Sequence, residues 1–379
     1  MFGVVSKPDT YSKLQALSAD AQYDLACACG SDKDQSRKRG RSGKWIYPVT
    51  LPNGGKSILF KTLLSNVCSN DCKYCPLRVQ KDLPRCTLQP QQIADIFLDY
   101  FYRREVFGLF LSSSVIGSPD ATMEKLNATA SILRKKHKYR SFIHLKIIPG
   151  ASNAAIEQSL SLATAVSLNI ETPGREYLAK LSDKKKYIED IVEPIKLISR
   201  LTQPGAKYAG TKQTTQFIVG AAGERDSEIV KYMAGLYDRL KLNRIYFSAY
   251  QKGLGDESMP GEYLPSRPPE EIFTREHRLY QVDFLIRKYG FKESDISFDE
   301  NGDLSLSADP KELWAQKHPE AFPVNVNNAS YDRLLKVPGI GLITAKRILE
   351  RRKQATLSCI EDLGKPTALL NKAAKFLVF

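Results

Sequence analysis

Three cysteines lie close together in the segment SNVCSNDCKYCPLR. Cys68, Cys72 and Cys75 follow a C-x3-C-x2-C spacing at the end of a predicted strand, so one loop can bring three thiolates to one metal centre. A [4Fe–4S] cluster normally takes four thiolates, and three would leave one iron open to a small-molecule ligand. Tyr74, the aromatic residue just before the last cysteine, fits the same interpretation.

A structural zinc site is the alternative for this segment. Cys86, eleven residues after Cys75, would complete the four closed ligands that structural zinc takes. Zinc motifs usually contain two separated C-x2-4-C pairs, however, and no second pair follows here, so we favour the cluster. The remaining cysteines are expected to be ordinary thiols, and the roles of Cys27, Cys29 and Cys86 stay open.

The composition is that of a globular protein with a strong positive charge. The 379 residues include 56 Lys+Arg and 42 Asp+Glu, a net charge of +14, and 42% are hydrophobic, which excludes wholesale disorder. The length suits about two or three domains, and the positive charge indicates a polyanionic partner. No run approaches the ~20 apolar residues of a membrane span. Lys7, Pro8 and Asp9 interrupt any signal-peptide core, so we expect a cytoplasmic protein.

Short strand-like runs alternate with amphipathic helical stretches between residues 56 and 290. The predicted strands are Ser57–Val67, Phe107–Ser113, Ser141–Ile148, Ala165–Glu171, Thr214–Gly220 and Arg244–Tyr250. The predicted helices are Pro90–Arg104, Ala121–His137, Ala154–Ala163, Ile188–Leu201, Ser227–Leu240 and Glu270–Tyr289. Strands separated by helices indicate right-handed crossovers and a parallel sheet, either an incomplete barrel or an open doubly wound sheet.

The alternation of polar and apolar residues favours the barrel. His144 and Lys146 in the third strand, and Asn169 and Glu171 in the fourth, oppose apolar neighbours near the strand ends. A buried strand of a plain parallel sheet is apolar on both faces, whereas βα barrels place their chemistry at the carboxyl ends of the strands. The predicted fold is therefore α/β, a partial (β/α)6 TIM-like barrel with a polar interior.

The chain changes character after Pro323. Residues 324–379 contain ten Lys+Arg and four Asp+Glu, a net +6 (10 − 4), and two helices are predicted around Pro338-Gly339-Ile340-Gly341. Glycines there allow a tight turn whose amides favour an anion, and Lys346 and Arg347 follow. Such a module suits sequence-independent contact with DNA phosphates, although a protein-interaction or purely structural cap is the alternative.

These patterns predict four regions. Residues 1–50 are a basic N-terminal extension with a cationic run at 37–44, and residues 51–290 are the barrel. Residues 291–322 are a connector with a small hairpin around Asn301-Gly302, and residues 323–379 are a small all-α domain.

The cysteine spacing with its aromatic residue resembles the radical S-adenosylmethionine (radical SAM) superfamily, whose motif is C-x3-C-x-aromatic-C. The resemblance implies that S-adenosylmethionine binds the open iron of a [4Fe–4S] cluster. The reduced cluster then generates a 5′-deoxyadenosyl radical that removes a hydrogen atom from the substrate. It also implies an electron donor such as flavodoxin or ferredoxin.

The same resemblance implies further cofactor-binding residues. Ser112, Ser113 and Ser114 replace the family's glycine-rich turn at the methionine amino group. Asn169 and Glu171 resemble residues that bind the ribose hydroxyls, and Gly220 resembles the glycine beside adenine. Tyr74 is the aromatic residue of the motif.

The C-terminal segment resembles a helix-hairpin-helix domain, which implies DNA contact through Gly339, Ile340, Gly341, Lys346 and Arg347. Nearly the whole chain resembles a radical SAM group described as DNA modification or repair proteins. The resemblance implies radical chemistry on DNA. RNA, protein or small-molecule substrates are alternatives, as is a non-enzymatic DNA-binding protein with a four-cysteine metal site.

Overall fold

The computed structural model describes residues 8–24, 45–50, 55–264 and 268–379. The chain divides into two compact units, one of residues 1–224 and 235–268 and one of residues 225–234 and 269–379. The cationic run at 37–44, Cys27 and Cys29 lie outside the described residues. The four predicted regions stay a prediction.

The first unit contains a seven-stranded sheet whose strands follow chain order. Its strands are β1 Ile46–Thr50, β2 Lys56–Leu63, β3 Gly108–Ser112, β4 Phe142–Lys146, β5 Ala165–Ser167, β6 Lys212–Val219 and β7 Arg244–Ala249. Strands β2 to β7 pair in parallel. A doubly wound sheet reverses its strand order at a switch point, and this sheet does not. The sheet curls into a half-barrel, which confirms the predicted fold class.

Strand β1 was not predicted, because it lies inside the segment assigned to the basic extension. It pairs antiparallel with β2, from Ile46 opposite Phe60 to Thr50 opposite Lys56. Tyr47 and Val49 are buried on it. The strand therefore belongs to the core and covers the first edge of the half-barrel.

Helices follow the strands in the order expected for βα units. They are α1 Thr10–Asp20, α2 Pro90–Tyr102, α3 Pro119–Ser131, α4 Asn153–Leu162, α5 Arg175–Leu181, α6 Glu193–Thr202, α7 Asp226–Asp238, α8 Pro260–Tyr263, α9 Pro269–Tyr289, α10 Pro310–Lys317, α11 Tyr331–Lys336, α12 Leu342–Arg351 and α13 Ala368–Ala374. Helix α2 illustrates why these segments form helices. Pro90 is its first residue, and Ile93, Phe97 and Tyr100 are buried along one face. None of the described helices combines the length and apolar character that crossing a bilayer requires.

Strand β5 ends four residues earlier than its sequence pattern predicts. Beyond Ser167 the chain still lies beside β6. The Leu168 carbonyl accepts from the Thr215 side chain, at Oγ1 (2.7 Å), where a regular strand would form a backbone hydrogen bond. The chain returns to β6 at Glu171, whose amide donates to the Gln216 carbonyl (3.0 Å). This irregular segment carries the polar residues Asn169 and Glu171.

The predicted hairpin around Asn301-Gly302 is wrong, because the structure forms only a turn there. The Asp299 carboxylate accepts from the amides of Asn301 (2.9 Å) and Asp303 (2.8 Å). The amide of Leu304 donates to the buried Asp226 carboxylate (2.9 Å) instead of to a partner strand. Local side-chain acceptors therefore compete with the ladder that the sequence pattern predicted.

In the second unit, helices α11 and α12 pack around a core that includes Leu334, Ile340 and Ile348. The side chain of Lys311 on α10 is buried beneath their turn. Its Nζ donates to the Ile340 carbonyl (2.6 Å) and lies 4.7 Å from the centre of the Tyr289 ring. Burial lowers the pKa of Lys311 to about 7.

This buried lysine predicts a pH-dependent stability. The unfolded chain binds a proton on Lys311 up to the usual lysine range, whereas the folded chain releases it near pH 7. The free energy of unfolding should therefore rise from pH 7 to pH 9, by up to about 1.4 kcal/mol per pH unit from this group. Urea unfolding at both pH values measures it, and Lys311→Met should remove this contribution. An identical pH dependence in the variant would contradict the assignment.

Candidate functional site

A cavity of about 190 Å³ lies at the carboxyl ends of the parallel strands of the first unit. Its wall contains nine of the residues predicted to bind the cluster or its cofactor. They are Cys68, Cys72, Tyr74, Cys75, Ser112, Ser113, Ser114, Asn169 and Glu171. Gly220 is not part of this wall. The fold thus brings together residues from three separate segments, after β2, β3 and β5, at the end of the barrel where catalytic residues normally lie.

The three cysteines of the motif lie on this cavity as free thiols, with Cys72 buried and the others half-buried. Burial raises the pKa of Cys72 and of Cys75, and the charge of the neighbouring cysteines raises both further. Such thiols become ligands when a cationic metal centre compensates the thiolate charge. The donor set therefore fits a three-cysteine cluster site.

Cys86 lies apart from this group. Its Sγ is 4.0 Å from the Lys13 carbonyl oxygen, and the charges nearest to it belong to Asp20 and Lys13. It does not line the cavity. No three Cys, His, Asp or Glu side chains within the described ranges converge on one metal ion. These contacts favour a cluster over a zinc site completed by Cys86.

Two arginines hold the loop that carries the cysteines. Arg78 donates to the carbonyls of Cys75 (3.2 Å), Leu254 (3.3 Å) and Gly255 (2.9 Å). Arg85 donates to the carbonyls of Leu77 and Arg78 (2.8 Å each), and also to those of Asn66 and Lys81. Carbonyls in a loop without regular structure need such donors, so these side chains fix the backbone on both sides of the last cysteine.

We expect Arg85→Gln to loosen this loop. Several carbonyls lose a charged donor, which should lower the free energy of unfolding by about 3 kcal/mol and speed the loss of iron. Iron release to a chelator, followed by absorbance, measures the effect. Arg103→Gln is the matched control, because that side chain is exposed on α2, where it pairs with Asp99 and Glu105 and lies over the Tyr100 ring. Equal iron release by both variants would contradict the role of Arg85.

Glu171 is the centre of a buried ionic group on the cavity wall. Its Oε1 accepts from Tyr74 Oη (2.7 Å) and lies 3.4 Å from Lys185 Nζ. Its Oε2 is buried and has no hydrogen-bond partner within the described part of the chain. Its φ of 65° is a left-handed conformation that is costly for glutamate. A strained residue with a spare buried acceptor on a cavity wall is suited to bind a hydroxyl group.

Sequence reasoning missed Lys185, which lies in the run SDKKK and has the pattern of a solvated surface. The structure buries it, and its Nζ donates to Tyr74 Oη (2.9 Å). Burial alone lowers the pKa of Lys185, but the Cys72 thiolate and the Glu171 carboxylate raise it above the usual lysine range. Lys185 is therefore a fixed cation between the cysteines and Glu171.

The other predicted cofactor residues make contacts within the protein. Ser112 Oγ donates to Asp24 Oδ2 (2.6 Å), and Ser113 Oγ donates to the Ser114 carbonyl (2.7 Å). Lys146 Nζ donates to the Asn169 side-chain carbonyl. The amide of Gly220 donates to the buried carboxylate of Glu224 in the turn after β6. Gly220 therefore shapes this turn.

The two inward-facing residues of β4 differ in position. Lys146 lines the cavity, and its Nζ donates to Asp24 Oδ1 (2.9 Å). His144 is buried away from the cavity wall and shares a hydrogen bond of 2.9 Å with Ser167 Oγ. Burial and the charge of Lys146 lower the pKa of His144 to about 3, so this imidazole is neutral at physiological pH.

The second unit carries the predicted phosphate-binding turn. Gly339 has a φ of 86°, and Gly341 is the N-cap residue of α12. Ile340 is buried, so only its backbone can face a ligand. Lys346 and Arg347 are both exposed, and Arg347 also donates to the Leu363 carbonyl (3.3 Å). The amide of Ile340 donates to the Val337 carbonyl (3.1 Å), and the turn is followed on α12 by two exposed basic side chains.

Comparison with known families assigns two parts of the chain. Residues 62–234 match the radical SAM superfamily, and residues 320–376 match the helix-hairpin-helix motif. No curated protein matches the chain.

Several solved structures resemble the chain at low sequence identity. The FeFe-hydrogenase maturase HydG from Carboxydothermus hydrogenoformans has 15% identity and a TM-score of 0.46 over 60% of this chain and 51% of its own. Methylornithine synthase (PylB) has 15% identity and a TM-score of 0.45 over 60% and 63%. Another HydG structure has 10% identity and a TM-score of 0.46 over 84% and 80%. The chain thus spans about half the length of the first and less than two thirds of the second.

The three thiols and most of the cavity wall lie within the first matched range, apart from wall residues at 20, 24 and 248–254, and the glycine turn lies within the second. The chain therefore contains a radical SAM domain, whose family members use a [4Fe–4S] cluster and S-adenosylmethionine, followed by a helix-hairpin-helix motif.

Proposed function

We propose that this protein modifies or repairs DNA by radical chemistry at a base or sugar. One observation supports this function above all. The same chain joins a thiol-lined barrel cavity to a helix-hairpin-helix turn that is followed by the exposed basic side chains of Lys346 and Arg347. Contacts of that turn with phosphates position a protein without reading sequence, so specificity for the target would come from the cavity.

In this proposal Cys68, Cys72 and Cys75 hold the cluster. When bound, the cluster and S-adenosylmethionine supply a 5′-deoxyadenosyl radical, and the protein supplies position and a dry environment. The spare acceptor of Glu171 binds a ribose hydroxyl together with Asn169. Lys185 fixes Glu171 and Tyr74 and adds a positive charge beside the thiolates.

The remaining predicted residues complete the cofactor site. Ser112, Ser113 and Ser114 provide the wall at the end of β3, and Gly220 shapes the turn after β6. The amides of Gly339 to Gly341, with Lys346 and Arg347, bind the DNA backbone. Extrusion of a base into the cavity costs a few kcal/mol, which favours damaged or unpaired bases. A flavodoxin or ferredoxin supplies the electron, in the cytoplasm.

Hydrogen-atom transfer from DNA tests the proposal. Reconstituted enzyme, reductant and S-adenosylmethionine are mixed with oligonucleotides deuterated at the sugar or at the base methyl group. We expect deuterium in the released 5′-deoxyadenosine, and mass spectrometry detects it. Substitution of Lys346 and Arg347 by methionine should reduce the transfer and flatten the salt dependence of DNA binding.

Other outcomes would overturn the DNA assignment. Deuterium transfer from labelled RNA, but not from DNA of the same sequence, would move the substrate to RNA. If the double substitution of Lys346 and Arg347 leaves substrate turnover unchanged, a protein or small-molecule substrate would be favoured. The helix-hairpin-helix motif would then serve only for recruitment.

A further inference from the structure

The three cysteines of the motif accept hydrogen bonds at sulfur, and one of the donors is charged. Backbone amides within the same loop donate to the sulfurs of Cys68 and of Cys75, at 3.4 Å each. Cys72 instead accepts from the ammonium group of Lys185, which lines the same cavity. A positive charge therefore lies directly against one of the proposed cluster ligands.

The loop that carries the cysteines also fixes the segment that carries Lys185. Asp71 directly precedes Cys72 in sequence. Its carboxylate accepts from Ser182 Oγ (2.5 Å) and from the amide of Asp183 (2.9 Å). Ser182 Oγ in turn accepts from the amide of Lys185 (3.2 Å). The lysine is thus held by its backbone as well as by its ammonium group, and its side chain is only 7% exposed.

Glu171 is the counter-charge of Lys185. Its Oε1 lies 3.4 Å from Lys185 Nζ, and Tyr74 Oη is hydrogen-bonded to both groups. Burial has the largest effect on the Cys72 thiol and raises its pKa. Of the two side-chain charges, Lys185 lowers the pKa of Cys72 by more than Glu171 raises it. The ion pair therefore presents its positive end to Cys72.

Three further charged side chains line the cavity in the described part of the chain, and each has a partner other than a thiol. Lys146 pairs with Asp24 (2.9 Å), and Asp20 accepts from Asn66 Nδ2 (2.9 Å). These contacts involve residues of the N-terminal segment, β4 and the chain after β2. The charge that is hydrogen-bonded to Cys72 is that of Lys185.

A charge at this position acts on electron transfer. Reduction of a [4Fe–4S] cluster adds one electron, and hence one negative charge, without forming or breaking a bond. Net charge and hydrogen bonds to the sulfurs set the reduction potential of such a cluster. A cation fixed at a ligand sulfur attracts the added charge, most strongly where little water screens it. The reduced state is therefore stabilised more than the oxidised state.

We propose that Lys185 raises the reduction potential of the cluster held by Cys68, Cys72 and Cys75. A one-electron donor such as flavodoxin or ferredoxin, itself oxidised by one electron, then reduces the cluster more readily. This deepens the proposed function, and it rests on that function for the cluster and not for the DNA substrate.

Potentiometric titration of the reconstituted full-length protein tests the proposal. The reduced cluster is paramagnetic, so electron paramagnetic resonance measures its fraction against the ambient potential, in the absence of S-adenosylmethionine. We expect Lys185→Met to lower the ratio of reduced to oxidised cluster about tenfold at a given potential, which is a midpoint about 59 mV lower. Lys185→Arg keeps the charge and should retain most of the native midpoint.

Lys186→Met is the matched control, because it removes the same charge from an exposed side chain one residue further along. Solvent screens a charge there, so the midpoint should stay at the native value. A native midpoint in Lys185→Met, or an equal shift in both methionine variants, would overturn the proposal. Weaker binding of S-adenosylmethionine by Lys185→Met with an unchanged midpoint would also overturn it, since the lysine would then serve the cofactor alone.

A second variant guards against loss of the fold, because Lys185→Met leaves the Glu171 carboxylate buried without its cation. The double substitution Lys185→Met with Glu171→Gln removes both charges. Since Lys185 has the larger effect at Cys72, the midpoint of this protein should still be lower than the native value, by less than in Lys185→Met. A midpoint at or above the native value, in a protein with normal iron content, would contradict the proposal.

The two proposals fail separately. A lowered midpoint in Lys185→Met without deuterium transfer from DNA would leave the role of the lysine intact and refute DNA as the substrate. Deuterium transfer from DNA in the native protein, with the same midpoint in Lys185→Met, would refute only the role of the lysine.

Discussion

Alanine at Cys68, Cys72 or Cys75 should yield a protein that retains almost no iron and forms no detectable 5′-deoxyadenosine. Each substitution removes one of the three thiolate ligands of the [4Fe–4S] cluster. Among the described residues, no fourth cysteine lies on the cavity wall to replace it. Iron and sulfide analysis after anaerobic reconstitution measures the first effect. Chromatography of the products from S-adenosylmethionine under reduction measures the second.

Cys86→Ser and Cys359→Ser are the matched controls for this experiment. Cys86 lies beside the Lys13 carbonyl, and Cys359 is exposed in the second unit. Both variants should keep the iron content and the absorbance of the native protein. Loss of metal from Cys86→Ser, together with zinc in the native protein, would contradict the cluster assignment.

The second large effect is expected at the turn between α11 and α12. A Cβ at Gly339 would overlap the carbonyl oxygen of Leu369 and lie 3.1 Å from the amide of Ala373. Its φ of 86° is also unfavourable for any other residue. Gly339→Ala should therefore destabilise the C-terminal unit by at least about 2 kcal/mol and weaken DNA binding at least tenfold.

Gly341→Ala provides the control, because it adds the same methyl group two residues away. Its φ is −108°, and the nearest atom to the added Cβ is Tyr289 Oη at 3.4 Å. This variant should change stability by less than about 1 kcal/mol. Urea unfolding followed by the fluorescence of Trp314, with Trp45 replaced by phenylalanine, reports on the C-terminal unit. Equal effects of the two substitutions would contradict the predicted role of the Gly339 conformation.

The repeating pattern of the barrel was predictable because its physical signal is local. Each of the strands β2 to β7 and the helices α2, α3, α4, α6, α7 and α9 showed a hydrophobic period in a single window of sequence. Strand β1 and helix α1 were missed for the opposite reason. They flank a polar, basic segment, so composition masked the buried residues Leu14, Leu17 and Tyr47.

The candidate site divides in a similar way between local and long-range information. The cysteine spacing is contained in eight residues, and Asn169 with Glu171 stood out by alternation. Lys185 and Asp24 could not be found, because their role depends on contacts across 111 and 122 positions of sequence, to Tyr74 and to Lys146.

The burial of helix α1 has a practical consequence for isolating the catalytic half. Ser18 donates to Thr62 on β2 (3.2 Å), Leu14 and Leu17 are fully buried, and Asp24 offsets the lysine charge inside the barrel. A fragment trimmed at residue 51 would discard all of these, along with β1. Crystallographic or biochemical work on the barrel alone should therefore keep helix α1 and strand β1, since both are part of the folding unit.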